Sequence, residues 1–383
     1  YQSKVDLRVC RQYKRKPMKF KILKSEFLEA LNNTQGVVEK KNVMPILANI
    51  LIEAEAKSPI IKISATDLEV AVHVFAQAQV EQAGQITVSA KSLFDIVRES
   101  ASEEIIVSKG ENERIDIQCN QSQYKILGMS AKEFPSLPQV DGEVTRVASE
   151  DFSYLLGKVT FAMSTDETRY HLNGVLLEKA GKESVLVATD GHRLSYCKSA
   201  LDLSKVKQEK IIIPRKGVNE LKKIISNEKS FDLCVSERHL FVKTEKQCLY
   251  IRLIDGNFPD YGRVIPDNVG TSVDIPRDAL VGALKRVSLL ASDRSKGVSL
   301  YFCNNVLTVN SSNPELEEAK EEVELDYKGA VLNIGFNAKY FLDVLGVIDD
   351  DNVTLSFKDE LSPCLITAKS VPGFKSVIMP MRM

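Results

Sequence analysis

The sequence has no excess of either charge: 51 lysines and arginines stand against 52 aspartates and glutamates, a formal net charge of −1 at pH 7. No overall field therefore draws the chain onto nucleic acid or anionic lipid, and any phosphate contact must come from local charge segregation. No apolar run reaches the ~18 to 20 residues needed to span a bilayer, and the N-terminus has no apolar stretch with a cleavage site, so the expected compartment is cytoplasmic, without membrane contact. The seven cysteines are odd in number, scattered and without C-x-x-C spacing, which excludes a disulfide framework and a zinc ribbon and leaves reduced thiols. Walker and dinucleotide-binding glycine patterns, paired histidines and a G-x-S-x-G elbow are also missing. His192 and Asp190 lie two apart on a turn with no nucleophile motif around them, so neither catalysis nor a cofactor is expected.

What the 383 residues do contain is repetition. At 44% hydrophobic and 27% charged the chain is globular, and long enough for two to four domains. The same succession of strand, amphipathic helix, strands, second helix and strands occurs three times. The first helix of each unit is predicted from Ser25-Glu26-Phe27-Leu28, from Ser149-Glu150-Asp151-Phe152 and from Pro276-Arg277-Asp278, each with a start signal followed by apolar residues three and four apart. The second helix is predicted from Ser89-Ala90-Lys91, Pro214-Arg215-Lys216 and Asn337-Ala338-Lys339, and its lysines recur at intervals of 125 and 123. A turn repeats at intervals of 123 as Thr66-Asp67-Leu68-Glu69, Thr189-Asp190-Gly191-His192 and Ser312-Asn313-Pro314-Glu315. Segments 60–64, 184–188, 298–302 and 353–357 read as short strands. Each unit is therefore α+β, and the expected domains are 18–144, 145–270 and 271–383, behind a basic extension at 1–17 read as disordered or as a start-site artefact.

Lys91, Lys216 and Lys339 fall in the first turn of their helices, where the macrodipole disfavours a cation, so helix stability does not explain them. With Arg98, Lys158, Arg215, Lys222, Lys223, Lys285 and Arg286 on the same helices, they predict a repeated basic surface for phosphates, without base readout. The chain's end, Val377 to Met383, is apolar where a terminus would fray, and should pack against something, a terminal edge strand being the plainer alternative.

Met18-Lys19-Phe20, Met44-Pro45-Ile46-Leu47, Ala188-Thr189-Asp190-Gly191-His192-Arg193-Leu194, Pro214-Arg215-Lys216-Gly217-Val218, Phe258-Pro259-Asp260-Tyr261 and Met379-Pro380-Met381-Arg382 together resemble the bacterial β sliding clamp family, from Met18 to the end of the chain. That family is the processivity subunit of the replicative DNA polymerase III. The resemblance implies three tandem copies of the DNA-clamp fold, two helices against antiparallel sheets in each, and a homodimeric ring around double-stranded DNA. It implies as partners the polymerase III α subunit, the clamp-loader δ subunit, and other polymerases and repair proteins carrying clamp-binding peptides.

By the same resemblance, Leu172, Thr189, Gly191, His192, Arg193, Leu194, Pro259, Arg263, Val264, Val377, Met379, Pro380, Met381 and Arg382 form the peptide pocket. Methionines suit a surface that accepts varied partners. Lys41, Arg169 and Tyr170 join Lys91, Arg215, Lys216 and Lys339 as DNA contacts, and Tyr124 and Ile126 meet Leu289 and Leu290 across the dimer seam. The chain departs from the family's usual second tyrosine at His171 and from its aromatic gate at Ser295, which weakens stacking at the first and opens the pocket at the second. A repeat scaffold that binds proteins but not DNA is the alternative, separated only by closure around DNA.

Overall fold

The computed structural model describes residues 17–39, 44–138, 142–292, 295–315 and 317–382. They form two compact units, one running to Pro138 and including Glu245–Leu249, the other taking Gln139–Thr244 and Tyr250–Met383. No helix among the described residues is long and apolar enough to cross a membrane.

The six α-helices among the described residues begin where the repeats place them: α1 at Lys24–Asn32, α2 at Ala90–Glu99, α3 at Ser149–Val159, α4 at Arg215–Ile225, α5 at Arg277–Val287 and α6 at Ala338–Leu345. Each starts directly at the end of a strand; Ser25 and Ser149 fall inside α1 and α3, whose N-cap residues Leu23 and Ala148 make no side-chain cap, whereas side chains cap α2 and α6. Ser89 Oγ accepts from the Ser92 amide at 3.3 Å at the head of α2, and Asn337 Oδ1 accepts from Lys339 at 2.9 Å at the head of α6. Pro214 and Pro276, which have no N–H to strand, cap α4 and α5. The four short strands read from alternation lie inside Ile60–Thr66, Glu183–Thr189, Gly297–Cys303 and Asn352–Phe357.

Among the described residues the repeat is finer than a domain. Each domain is two successive copies of strand, helix and three-strand meander, and the lead strand of each half joins the meander of the other. In the first domain Lys19–Leu23 pairs with Glu104–Lys109, while Gly84–Ser89 pairs with Asn49–Ala54. In the middle domain Thr145–Ala148 pairs with Ser230–Val235, while Lys210–Pro214 pairs with Gly174–Ala180. In the third, Thr271–Pro276 pairs with Asn352–Phe357, while Leu332–Asn337 pairs with Gly297–Cys303. The exchange places both helices of a domain side by side under its two sheets. Their apolar stripes fill the space between: Phe152 meets Phe231 edge-to-face in the second domain, and Phe336 meets Phe341 and Phe357 in the third, all with negligible exposure. Burying each ring stabilises the fold by roughly 2 to 3 kcal/mol.

The chain's last strand, Phe374–Ile378, is not at an edge. It lies between Cys364–Thr367 of its own domain and Arg193–Ser199 of the middle domain, so the second and third domains share one eight-stranded sheet among the described residues. The terminus packs as its apolar composition requires, as an interior strand. In the first domain, Ser122–Met129 pairs from Ser122 to Leu127 with Arg114–Cys119, but on its other side, among the described residues, only Gly128 and Met129 are joined, to Val88 and Thr87.

Candidate functional site

The site is built on the turn 189–192, which follows Glu183–Thr189 in the shared sheet. Thr189 Oγ1 donates to the Arg193 carbonyl at 2.6 Å and accepts from the Gly191 amide at 3.1 Å, and Asp190 Oδ1 accepts from the His192 and Arg193 amides at 2.9 and 3.0 Å. These bonds set Gly191 at φ +89°, where glycine carries no steric cost.

Arg193, next in line, points inward. Its side chain is 7% exposed, and its guanidinium donates to Asp190 at 3.1 Å, to Asp343 of α6 at 2.6 Å and to the Phe161 carbonyl at 2.7 Å. It also stacks 4.5 Å from the Tyr340 ring centre. A buried guanidinium needs such a full set of acceptors. The head group is thus committed to holding the second domain against the third, leaving its stem to the site. Lys158 is anchored at the same junction. It was expected on the basic helix surface, but it is buried, donating to the Val347 carbonyl with Asp349 at 3.8 Å and the Tyr154 ring at 4.9 Å. Position on an amphipathic helix left its direction open; the neighbouring carbonyl and ring decided it.

Beside the turn lies a cavity of about 140 Å³ lined by Leu172, Thr189, Gly191, Arg193, Leu194, Phe258, Pro259, Tyr261, Val264, Val377 and Met379. Leu194 and Val377 form its apolar floor and belong to a buried cluster that continues behind them to Leu176 and Val187. The Met379 amide donates to His192 O at 2.9 Å and the Met381 amide to Gly335 O at 2.8 Å, which lays the chain end along the rim. Nine of the residues expected in a pocket therefore line one. His192, Arg263, Pro380, Met381 and Arg382 do not: His192 is exposed, and Arg263, 86% exposed, pairs with Asp260. Phe258 and Tyr261 line the cavity although only Pro259 of their motif was singled out. The signal was present in the two aromatics flanking that proline.

The basic side chains separate. Lys91 and Arg215 are exposed and Lys216 is half-buried. Lys339, 65% exposed, pairs with Asp343 at 2.9 Å, the carboxylate that also holds Arg193. Arg98 pairs with Asp95 and Glu99, Lys223 with Glu220 and Arg286 with Glu321, so much of the helical positive charge is compensated locally. Arg169 pairs with Asp166 at 3.0 Å and lies against Gly191. Tyr170 is 56% exposed, edge-on to His171. Lys41 lies outside the described residues. Leu289 is 80% exposed, and Tyr124, Ile126 and Leu290 are half-buried. Among the described residues no cluster of His, Cys, Asp and Glu is arranged for a metal.

Three domains of doubled strand–helix–meander halves, with a small apolar cavity on the sheet shared by the second and third, define a binding scaffold of the DNA-clamp type. Comparison with known proteins agrees from residue 18 to residue 382. Residues 18–138, 146–260 and 262–382 match the N-terminal, central and C-terminal domains of the DNA polymerase III beta subunit. The beta sliding clamp of Caulobacter vibrioides is 36% identical, covering 95% of this chain and all of that protein, and that of Escherichia coli K12 is 32% identical, covering 96% and all of it. A crystal structure of the Caulobacter crescentus beta sliding clamp superposes with a TM-score of 0.91 at 35% identity over 96% of this chain and all of that one. The Pseudomonas aeruginosa polymerase III subunit beta gives 0.90 at 32% identity, over the same shares. The chain belongs to the DNA polymerase III beta subunit family, the sliding clamps: it is a processivity factor and not an enzyme.

Proposed function

We propose that two copies of this chain close into a ring around duplex DNA and that the cavity beside residues 189–192 takes a short peptide from each partner protein. The DNA polymerase III α subunit, the clamp-loader δ subunit and other polymerases and repair proteins are the partners assigned to it. The carrying observation is the cavity itself, where nine residues from four separate stretches of sequence converge on an apolar floor. An apolar pocket with a few fixed polar groups is how short peptides are held. His192, Arg263, Pro380, Met381 and Arg382 are assigned to its rim, where a bound peptide would reach them. Lys41, Lys91, Arg169, Tyr170, Arg215, Lys216 and Lys339 are assigned to DNA, as non-specific phosphate contacts. The dimer seam is assigned to Tyr124 and Ile126 against Leu289 and Leu290, supported by the partly unpaired edge of Ser122–Met129 and by the exposure of Leu289. Domain limits of 18–144, 145–270 and 271–383 complete the proposal.

Clamps loaded onto nicked circular plasmid should stay bound through gel filtration and be released when the plasmid is linearised. Equal retention on both forms would sink the topological reading and favour a protein-only scaffold. Deleting residues 379–383 should abolish binding of polymerase peptides in calorimetry while the ring stays dimeric.

A further inference from the structure

Residues 253–265 stand between two spaces. On one side is the cavity of about 140 Å³; on the other is a cleft of about 940 Å³ whose walls include Lys210, Arg238, Arg252 and Asp255. Phe258, Pro259 and Tyr261 border both. A wall with open space behind it is packed on one face only, unlike an interior element, so discrete ties contribute to its position. At its start the Leu253 amide donates to Arg238 O at 2.8 Å and the Ile254 amide to Ile212 O at 3.0 Å. Further along, Phe258, Tyr261 and Ile265 rest partly buried on the sheet. The Tyr261 hydroxyl crosses to the strand Gly174–Ala180 and donates to Glu178 Oε2 at 2.8 Å, with the Lys210 ammonium 3.2 Å from the same carboxylate.

We infer that Tyr261 and Glu178 form a latch that sets the width of the peptide cavity by pinning its wall, packed on one face only, to the sheet. They are positioning residues: the peptide is held by the wall, and the wall by the latch. Burial, then the hydrogen bond to Glu178, pushes the Tyr261 phenol well above its ordinary pKa, so the hydroxyl stays protonated and remains the donor. The acceptor is a carboxylate only 19% exposed, which makes the bond charge-assisted and sheltered. Tyr196, with its ring centre 5.8 Å from that of Tyr261, keeps the phenol aimed at the strand.

The inference rests on the cavity being a peptide site, and the test separates the two. The probe is the tightest-binding member of a set of overlapping fluorescein-labelled peptides covering the polymerase III α subunit, measured by anisotropy and stopped flow. Tyr261→Phe keeps the ring and removes the donor; it should weaken binding by about tenfold, chiefly through faster dissociation. Glu178→Ala should do the same, and the double variant should be no worse than either single one. Glu178→Gln keeps an acceptor and should restore near-normal affinity, which a general loss of stability would not do. Amide exchange in 253–265 should accelerate in Tyr261→Phe and not in Glu178→Gln. If the unaltered chain binds a peptide and Tyr261→Phe binds it equally well, the latch is refuted while the pocket stands. If no peptide binds the unaltered chain, the pocket falls and the latch with it.

Discussion

The turn at 66–69 in the first domain and the turn at 189–192 in the second make the same hydrogen bonds and lead to different ends. In the first, Thr66 Oγ1 donates to Val70 O and accepts from the Leu68 amide, and Asp67 Oδ1 accepts from the Glu69 and Val70 amides. Thr189 and Asp190 repeat each of these bonds. Leu68 adopts φ +79° where Gly191 adopts +89°. A leucine can therefore hold this backbone, and the turn alone does not require glycine. What glycine spares is a contact: a Cβ at Gly191 would lie 2.7 Å from Arg169 Nη1, the end of a flexible side chain that would have to move aside. The residue that closes each turn differs in the same sense. Val70 is a buried apolar side chain, whereas Arg193 is a buried cation tied to the third domain. One repeat keeps the turn as core, and the other turns it into a joint with a cavity beside it.

The largest effect should come from erasing that joint. Arg193→Val makes the second turn resemble the first, but it leaves Asp190 and Asp343 without the cation they share. The expected loss is about 3 kcal/mol in urea unfolding, because Asp190 is left partly buried without its cation and Asp343 keeps only the exposed Lys339, which together cost more than the valine returns. Peptide affinity should fall as well, since the rim at Met379 hangs on His192 O beside it. A variant as stable as the parent would mean that the buried arginine contributes little to the seam between the second and third domains.

These two turns also mark how much was legible beforehand. Helix starts, the Thr-Asp turn and the three-domain period were readable because each is specified within a few residues, by a cap, an Asx-type hydrogen bond or an apolar spacing. The direction of Arg193 was not: its partner Asp343 lies 150 residues away, on a helix whose placement only the assembled sheet determines. The interior position of Phe374–Ile378 depends likewise on pairing with residues some 180 positions earlier. Lys158 was misplaced for the same reason. The doubling within each domain was hidden because the lead strands exchange partners, so neither half is a closed unit in sequence. Within the cavity, the motif match reached the nine lining residues, and missed Phe258 and Tyr261 because single residues were weighed where a whole wall contributes.

A smaller effect tests what glycine does at 191. Gly191→Ala should cost only about 1 kcal/mol in stability, given that Leu68 tolerates the same backbone region. It should nonetheless weaken peptide binding about tenfold, by moving Arg169 off the turn and narrowing the cavity. Adding Arg169→Ala tells the two causes apart. If the double variant binds as Arg169→Ala does, displacement of the arginine was responsible; if it binds as poorly as Gly191→Ala, the methyl group itself obstructs the cavity. Unchanged binding in Gly191→Ala would break the contrast between the two turns.

The smallest effect is the converse substitution. Leu68 is half exposed and held at positive φ, a conformation that costs a branched side chain on the order of 1 kcal/mol. Leu68→Gly relieves that strain but gives the unfolded chain more freedom, so the two terms largely cancel. The expected net gain is no more than about 0.5 kcal/mol, read as a small rise in the urea midpoint at unchanged slope. Peptide affinity should not move at all, because the peptide cavity is assigned to the other turn. A loss of stability greater than 1 kcal/mol would show that the Leu68 side chain contributes packing that its exposure does not reveal, and that the first turn too has been adapted to something beyond its own domain's core.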